Sequence, residues 1–202
     1  MDMTGLRGRP RDGALDSAIA GATESVLLSD GYGAVNIDRV AKSAGTTRAA
    51  IYRRAKTRGE LVVGLLVSRF GFDPAPDSGD LRTDLRLLQA LQRAFFADPV
   101  IQAALAGVLS DIAADAALGK AFYERFMAPR RRSVAAMLAR AADRGEIEAV
   151  ERPDIVSDLL TGPLLLRAVL PIIGPIEDSL LAATIEAAMN ECASPGGGRP
   201  GG

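Results

Sequence analysis

The chain has 202 residues, of which 48% are hydrophobic and 24% are charged, and its formal net charge of −1 creates no overall field toward nucleic acid or an anionic membrane. Histidine is absent, which excludes histidine-based metal sites and Ser-His-Asp or Cys-His catalysis, and the single Cys192 excludes an internal disulfide and a multi-thiolate zinc site. The sequence carries no signal-peptide core and no run near the roughly 18 apolar residues of a membrane span, so we expect a cytoplasmic protein without a cofactor or metal.

The first segment predicts a basic arm followed by a long helix. Residues 1–12 are rich in Arg, Gly and Pro and predict a flexible arm. Apolar residues then recur at helical spacing, which predicts a helix over residues 13–29 that ends at the glycines of the turn 30–33. The apolar positions are Leu15, Ile19, Ala22, Val26 and Leu27.

Three further helices are predicted before residue 71. Asn36 is a suitable N-cap for the second helix, and Gly45 ends it. The third covers residues 48–54, and the fourth begins after it. Hydroxyl side chains suit the N-caps of these two helices, namely Thr46 or Thr47 for the third and Thr57 for the fourth. We expect residues 13–60 to form one domain.

The remainder predicts a second helical domain over residues 61–193, followed by a disordered tail over 194–202. After the Pro/Gly linker 71–79, amphipathic patterns predict helices that begin near Leu81, at Asp98-Pro99, at Asp115, at Pro153 and near Ile176. The helix from Asp115 is predicted to run unbroken to Arg144-Gly145. Pro163 is expected to kink the next helix because it removes a backbone hydrogen bond. No alternating strand pattern occurs, so the predicted fold class is all-α.

Positive charge is concentrated in the predicted N-terminal domain. Residues 1–60 hold ten Lys/Arg against seven Asp/Glu, and residues 39–58 hold seven bases without an acid. Such a segment can meet a polyanion although the whole chain is near neutral. The alternative is a solvated basic face.

The second and third helices, with a Gly-containing turn between them, form a helix-turn-helix pattern. In that motif the second helix enters the major groove of DNA, and Ala49 keeps the start of this helix slim. The hydroxyls of Thr46 and Thr47 suit phosphate contacts, and the Arg48 fork suits a guanine edge. The other predicted contacts are Tyr52 and Arg53 to phosphate or base, Lys56 to phosphate, and Arg7, Arg9 and Arg11 of the arm to the minor groove.

This stretch resembles the tetracycline-repressor (TetR) family of bacterial transcription regulators over residues 13–66. The matching positions are Gly31-Tyr32, Ala44-Gly45, Ile51-Tyr52, Lys56 and Leu61. Asn36 stands where the family usually has a Thr that contacts phosphate, so the resemblance implies a DNA contact there. Arg54-Ala55 replaces an aromatic-rich pair that follows the third helix.

The rest of the chain resembles the C-terminal ligand-binding and dimerisation domain of that family more loosely. The matching features are Arg144-Gly145-Glu146-Ile147 and Leu160–Leu164 with Arg167. The resemblance implies a homodimer whose last two helices form a four-helix interface, and the alternative is that their apolar residues fill the core of a monomer. The predicted interface residues are Leu159, Leu160, Leu164, Leu180, Ala183 and Ala187.

The resemblance also implies an effector cavity between the middle helices. Its predicted lining has few titratable groups, which favours a small, largely apolar ligand, although each residue could equally be ordinary core. Arg125 or Arg167 could pair with an anionic group or belong to a surface ion pair. The predicted pocket residues are Phe95, Phe96, Leu109, Phe122, Tyr123, Phe126, Met137 and Leu166.

The resulting interpretation is a transcription regulator that binds a palindromic DNA operator as a homodimer and is released by its effector. Most members of the family are repressors, and an activator stays open. An enzyme is disfavoured, because no catalytic constellation, GxSxG motif or phosphate loop occurs. The alternative that remains is a helical ligand-binding or protein-interaction scaffold without specific DNA binding.

Overall fold

A computed structural model describes residues 11–71 and 74–193, apart from the side chains of Arg11 and Asp12. Most of the described residues are helical and no strand occurs among them, which confirms the all-α prediction. The chain divides into two compact units between Phe70 and Gly71. The predicted arm and tail fall mostly on residues 1–10 and 194–202, which lie outside the described residues.

The described part of the N-terminal unit, residues 11–70, contains four α-helices and a short 3-10 turn over Tyr32–Ala34. The four helices are α1 (Arg11–Asp30), α2 (Ile37–Ser43), α3 (Arg48–Tyr52) and α4 (Arg58–Phe70). Helix α4 packs against α1 and buries Leu61, Val62, Leu65 and Leu66. Because these residues complete the core of this unit, the compact unit extends to Phe70, beyond the predicted boundary at residue 60.

The predicted N-caps of this unit have their capping geometry. Asn36 accepts a hydrogen bond from the backbone N–H of Arg39 at 2.9 Å, and Thr47 accepts one from Ala50 at 3.1 Å. Thr57 accepts one from the N–H of Glu60 at 3.2 Å. Each cap satisfies a backbone donor that the first turn of a helix leaves free, so short-range sequence determines where these helices begin.

Six α-helices occur in the C-terminal unit over residues 74–193. They are α5 (Leu81–Ala97), α6 (Pro99–Ala114), α7 (Ala116–Phe122), α8 (Ala128–Asp143), α9 (Pro153–Val169) and α10 (Asp178–Ala193). A core between α5, α8, α9 and α10 holds this unit together through fully buried side chains such as Leu85, Met137 and Leu160. Helix α9 continues through Pro163, and the side-chain N–H of Gln89 donates to the Leu160 carbonyl at 2.9 Å.

The predicted unbroken helix after Asp115 is interrupted by a π-helical turn over Tyr123–Met127. Pro129 explains the interruption, because it has no N–H and its ring would clash with the carbonyl four residues earlier. The N–H of Ala128 bonds the Tyr123 carbonyl, and the guanidinium of Arg130 donates to the Phe126 carbonyl at 2.7 Å. The turn therefore lets the chain pass Pro129 without leaving the helical direction.

In the part of the chain that the structure covers, no single helix has the length and apolar character needed to cross a bilayer. Helices α5 and α6 meet those requirements as a pair, with a bend of 79° between them.

Candidate nucleic-acid interface and cleft

Helices α2 and α3 form a helix-turn-helix whose inner faces are buried. Val40 and Ala41 of α2 and Ala50 and Ile51 of α3 lie in the core of the N-terminal unit. Gly45 in the connecting turn has φ +62°, a left-handed conformation that favours glycine. Burial of these four side chains fixes which face of α3 points outward.

The outward face of α3 carries residues that are suited to the DNA groove. The Arg48 side chain is 61% exposed, Tyr52 is 45% exposed, and the small Ala49 lies between them. Arg48 Nε is 2.8 Å from a carboxylate oxygen of Asp38 on α2. Both partners are solvated, so this ion pair adds little stability and leaves the guanidinium accessible.

Two of the predicted contact residues serve as N-caps. Asn36 uses its side-chain oxygen for the α2 cap and donates its amide to the Ala34 carbonyl at 3.2 Å. Thr47 accepts the Ala50 N–H, which leaves its hydroxyl hydrogen available to donate. Thr46 is half-buried beside it. Any phosphate contact of Asn36 must therefore be compatible with its capping role.

Arg53 and Lys56 flank the C-terminal end of α3 with exposed side chains. No ion pair of either residue occurs within the described ranges. The backbone N–H of Lys56 donates to the Glu60 carboxylate at 2.6 Å, which fixes the start of α4 and leaves the ammonium group in solvent. Of the arm residues, Arg7 and Arg9 lie outside the described residues, and Arg11 begins α1 with its side chain not described.

Arg54-Ala55, the departure from the family pattern, has a packing role that sequence reasoning missed. Arg54 forms an ion pair with Asp16 of α1 and donates to the Ala50 carbonyl at 3.3 Å. Ala55 is buried. This arginine therefore ties the end of α3 to α1. Its partner lies 38 positions away, so no local sequence signal identifies the contact.

Two other bases of the 39–58 segment also have intramolecular contacts. Arg39 forms an ion pair with Asp30 at 2.6 Å, and the guanidinium of Arg58 lies 4.6 Å from the centre of the Tyr32 ring. The hydrogen bond from Ser29 and the charge and hydrogen bond of Arg39 lower the pKa of Asp30. The basic segment thus divides into cations that hold the unit together and cations that face solvent.

In the C-terminal unit, four of the predicted pocket residues form an aromatic cluster. The ring centres are 5.1 Å apart for Phe95–Phe96, 6.0 Å for Phe95–Phe126 and 5.2 Å for Phe122–Phe126. The guanidinium of Arg130 lies 3.8 Å from the centre of the Phe126 ring. The four rings therefore pack against one another, with a cation over one of them.

The other predicted pocket residues are dispersed. Met137 is fully buried in the core between α5, α8, α9 and α10, so it has no surface to offer a ligand. Leu109 is half-buried, whereas Tyr123 and Leu166 are exposed. Arg125 is exposed as well. The structure therefore does not bring the eight predicted residues together around one cavity.

A cleft with a volume of about 690 Å³ lies elsewhere in this unit, between the end of α5, the start of α6, the end of α9 and the segment before α10. Phe96 is common to this cleft and the aromatic cluster. Arg167, which sequence analysis weighed as an anion partner, lines it. The full lining is Arg93, Phe96, Ala97, Gln102, Arg167, Ala168, Pro171, Gly174, Pro175 and Ile176.

The predicted dimer residues divide by burial within the single chain. Leu160 and Leu164 have no exposed surface because they pack into the core of their own unit, so neither side chain is available to a second protomer in this structure. Leu159, Leu180 and Ala187 are half-buried and Ala183 is exposed. Large apolar side chains that remain exposed around the end of α9 are Leu166, Leu170, Ile172 and Ile173.

Within the described residues, no group of three or more His, Cys, Asp or Glu side chains is placed to hold a metal ion.

Family models match both units. Residues 19–65 match the model for bacterial regulatory proteins of the tetR family, and residues 75–188 match the tetracyclin repressor-like C-terminal domain. The chain is 29% identical to an uncharacterised HTH-type transcriptional regulator of Mycobacterium bovis over 89% of this chain and 91% of that protein. It is 28% identical to the DNA-binding transcriptional repressor TetR of Mycobacteroides abscessus over 89% of this chain and 92% of that protein.

A similar solved structure is that of the TetR family transcription regulator SCO0332. It has a TM-score of 0.72 and 22% identity, covering 88% of this chain and 97% of that one. The likeness shows that the two chains share their fold.

Proposed function

The chain belongs to the tetR family of bacterial regulatory proteins, and from this premise we propose that it is a repressor that binds a palindromic operator as a homodimer and releases it when a small, largely apolar effector binds. It is a helix-turn-helix transcriptional regulator and not an enzyme. We place its action in the cytoplasm, where the operator is found.

The outer face of α3 is the observation that carries the DNA-binding part of the proposal. Ala50 and Ile51 anchor the helix, and Arg48 and Tyr52 project from the opposite side. An Arg at the start of a recognition helix can make a bidentate contact with a guanine edge. The proposed contact set is Arg9, Arg11, Asn36, Thr46, Thr47, Arg48, Tyr52, Arg53 and Lys56.

Exposed apolar residues at the end of α9 support the homodimer. Ile172 is 93% exposed, and Leu166, Leu170 and Ile173 are exposed beside it in sequence. Several large apolar side chains in water at one place favour a protein contact. We propose that these residues extend the interface of α9 and α10, to which Leu159, Leu180, Ala183 and Ala187 also contribute. The repressor of Mycobacteroides abscessus supports the repressing role.

The test is fluorescence anisotropy with DNA from immediately upstream of the gene for this protein, titrated against salt and against a scrambled competitor. We expect sequence-selective binding that weakens steeply with salt, because phosphate contacts release counterions. Weak binding that ignores sequence would contradict specific operator recognition at this promoter. It would instead favour the scaffold, if a genome-wide binding selection also returned no preferred site.

Sedimentation equilibrium tests the homodimer separately. We expect a dimer for the full chain and a shift toward monomer when Leu170→Asp and Ile173→Asp are combined, because two carboxylates would be buried without partners. Leu91→Asp on α5 is the matched control, since Leu91 is 56% exposed and lies outside the proposed interface. An unchanged dimer in the double variant would place the interface elsewhere.

A further inference from the structure

Arg167 lines the cleft described above and contacts the segment that follows α9. Its Nη1 donates to the Ile173 carbonyl at 2.6 Å. Gly174 has φ +109°, and a Cβ atom there would lie 2.7 Å from Nη1. A residue with a side chain at position 174 would therefore displace the guanidinium. The carbonyl hydrogen bond orients the guanidinium, and Gly174 leaves room for it.

The charges around the cleft do not cancel. Arg93, which also lines the cleft, forms an ion pair with Asp178 at the first residue of α10. Within the described ranges, no carboxylate forms an ion pair with Arg167, which donates a hydrogen bond to the neutral Ile173 carbonyl. A guanidinium has five N–H donors, so most of those on Arg167 remain available. One positive charge at this site is uncompensated.

The rest of the lining is mainly apolar. Phe96, Ala97, Ala168, Pro171, Pro175 and Ile176 surround the two arginines and Gln102. The cleft has a volume of about 690 Å³, which is enough for a small molecule, and it is open to solvent on one side. An apolar wall with one fixed cation matches a ligand that has an anionic head and an apolar body.

From this geometry we infer that the cleft binds an amphipathic organic carboxylate, with its carboxylate on Arg167 and its apolar body against Phe96, Pro171 and Ile176. Arg93 is a second cation of the lining, and solvent screens its ion pair because Asp178 is 91% exposed. The inference deepens the proposed function by naming the chemical class of effector and a cleft that shares only Phe96 with the aromatic cluster. Its regulatory consequence rests on that function, whereas the binding itself does not.

The test is isothermal titration calorimetry of the full chain with decanoate, without DNA and below the concentration at which decanoate forms micelles. Decanol, which has the same apolar body without the charge, is the comparison ligand. We expect decanoate to bind about tenfold more tightly than decanol or better, because the charge-assisted hydrogen bonds to Arg167 are lost with the alcohol. Equal affinities for the two ligands, or no decanoate binding at millimolar concentration, would overturn the inference.

Variants locate the site. Arg167→Gln removes the charge and is expected to weaken decanoate binding about tenfold or more, whereas Arg167→Lys keeps the charge and is expected to lose less. Arg125→Gln is the matched control, because Arg125 is an exposed arginine of the same unit outside the cleft lining. Circular dichroism verifies that each variant folds. Wild-type affinity in Arg167→Gln, or an equal loss in Arg125→Gln, would contradict the assignment.

Adding decanoate to the anisotropy assay separates this inference from the proposed function. Calorimetric binding without an operator complex would leave the ligand site standing and count against the repressor. Operator binding without calorimetric binding of decanoate would support the regulator and overturn the ligand site. Release of the operator by decanoate in the wild type, together with no release in Arg167→Gln, would support both.

Discussion

Arginines that project from α3 in the N-terminal unit differ from those that join helices in the C-terminal unit. Arg48 and Arg53 are exposed at the two ends of α3. In the C-terminal unit, Arg82 pairs with Glu186 to join α5 to α10, and Arg131 pairs with Asp158 to join α8 to α9. Arg53 has no ion pair within the described residues and Arg48 has only a solvated one with Asp38, so both suit a polyanion, whereas the less exposed arginines of the C-terminal unit orient helices.

The contrast is not absolute, and its exceptions are informative. Arg54 lies in the basic segment yet ties α3 to α1, so net charge along the sequence overstates the surface that DNA can meet. Arg167 lies in the C-terminal unit, yet its guanidinium donates to a backbone carbonyl and not to a carboxylate. Substitution of selected cations therefore separates two effects, on DNA affinity and on the free energy of unfolding.

The largest expected effect is on DNA affinity, from Arg48→Ala combined with Tyr52→Ala. Loss of the proposed base and backbone contacts should weaken specific binding about 100-fold, since each good contact contributes roughly 1–3 kcal/mol. Fluorescence anisotropy measures the affinity, and urea denaturation should give a free energy of unfolding close to that of the wild type. Arg132→Ala, which removes an exposed arginine of the C-terminal unit, is the control. Operator affinity unchanged by the double substitution would remove α3 from the interface.

Arg54→Ala should mainly lower the stability of the fold, in contrast to the substitutions on the outer face of α3. Removal of the Asp16 ion pair and of the bond to the Ala50 carbonyl should lower the free energy of unfolding by about 1 kcal/mol. Urea denaturation followed by circular dichroism measures this loss. The matched control is Arg53→Ala, because Arg53 is the exposed neighbour and should leave stability within about 0.5 kcal/mol of the wild type. Equal stability of the two variants would mean that the Arg54 contact contributes nothing in solution.

Arg131→Ala should destabilise the C-terminal unit by about 0.5–1 kcal/mol and leave specific DNA affinity unchanged. The Arg131 guanidinium bonds Asp158 at 2.6 Å and the Asp154 carbonyl at 3.2 Å, but Asp158 is exposed and solvent screens the pair. The same two measurements apply, and Arg132→Ala again serves as the exposed control. A selective loss of DNA affinity in Arg131→Ala would break the distinction between the two units.

The sequence predicts the helix-turn-helix closely because its determinants are local. Asn36, Thr47 and Thr57 cap helices within three residues of their own positions, and Gly45 provides the left-handed turn. The π-helical turn also has a local signal in the sequence, because Pro129 follows it closely. The apolar periodicity alone, however, predicts an unbroken helix there.

The long-range features could not be predicted in this way. The Arg54–Asp16 contact joins residues far apart in sequence, and the cleft joins side chains from three helices and the segment before α10. Helical spacing also assigned Leu160 and Leu164 to an apolar face without indicating which neighbour covers it, and the core of the same chain covers both. Periodicity therefore indicates that a helix face is buried, whereas only the packed structure shows which element covers that face.

Lys56→Ala gives the smallest effect and the one that best separates phosphate contacts from base contacts. Its ammonium group lies in solvent while its backbone N–H is fixed by Glu60, so the substitution removes charge and leaves the start of α4 in place. Affinity should fall about threefold for specific and scrambled DNA alike, and the slope of log affinity against log salt should flatten by about one unit per protomer. Anisotropy titrations at several salt concentrations measure both quantities, with Lys120→Ala in the C-terminal unit as the control. A loss confined to the specific sequence would instead assign Lys56 to base recognition, because a phosphate contact cannot distinguish one sequence from another.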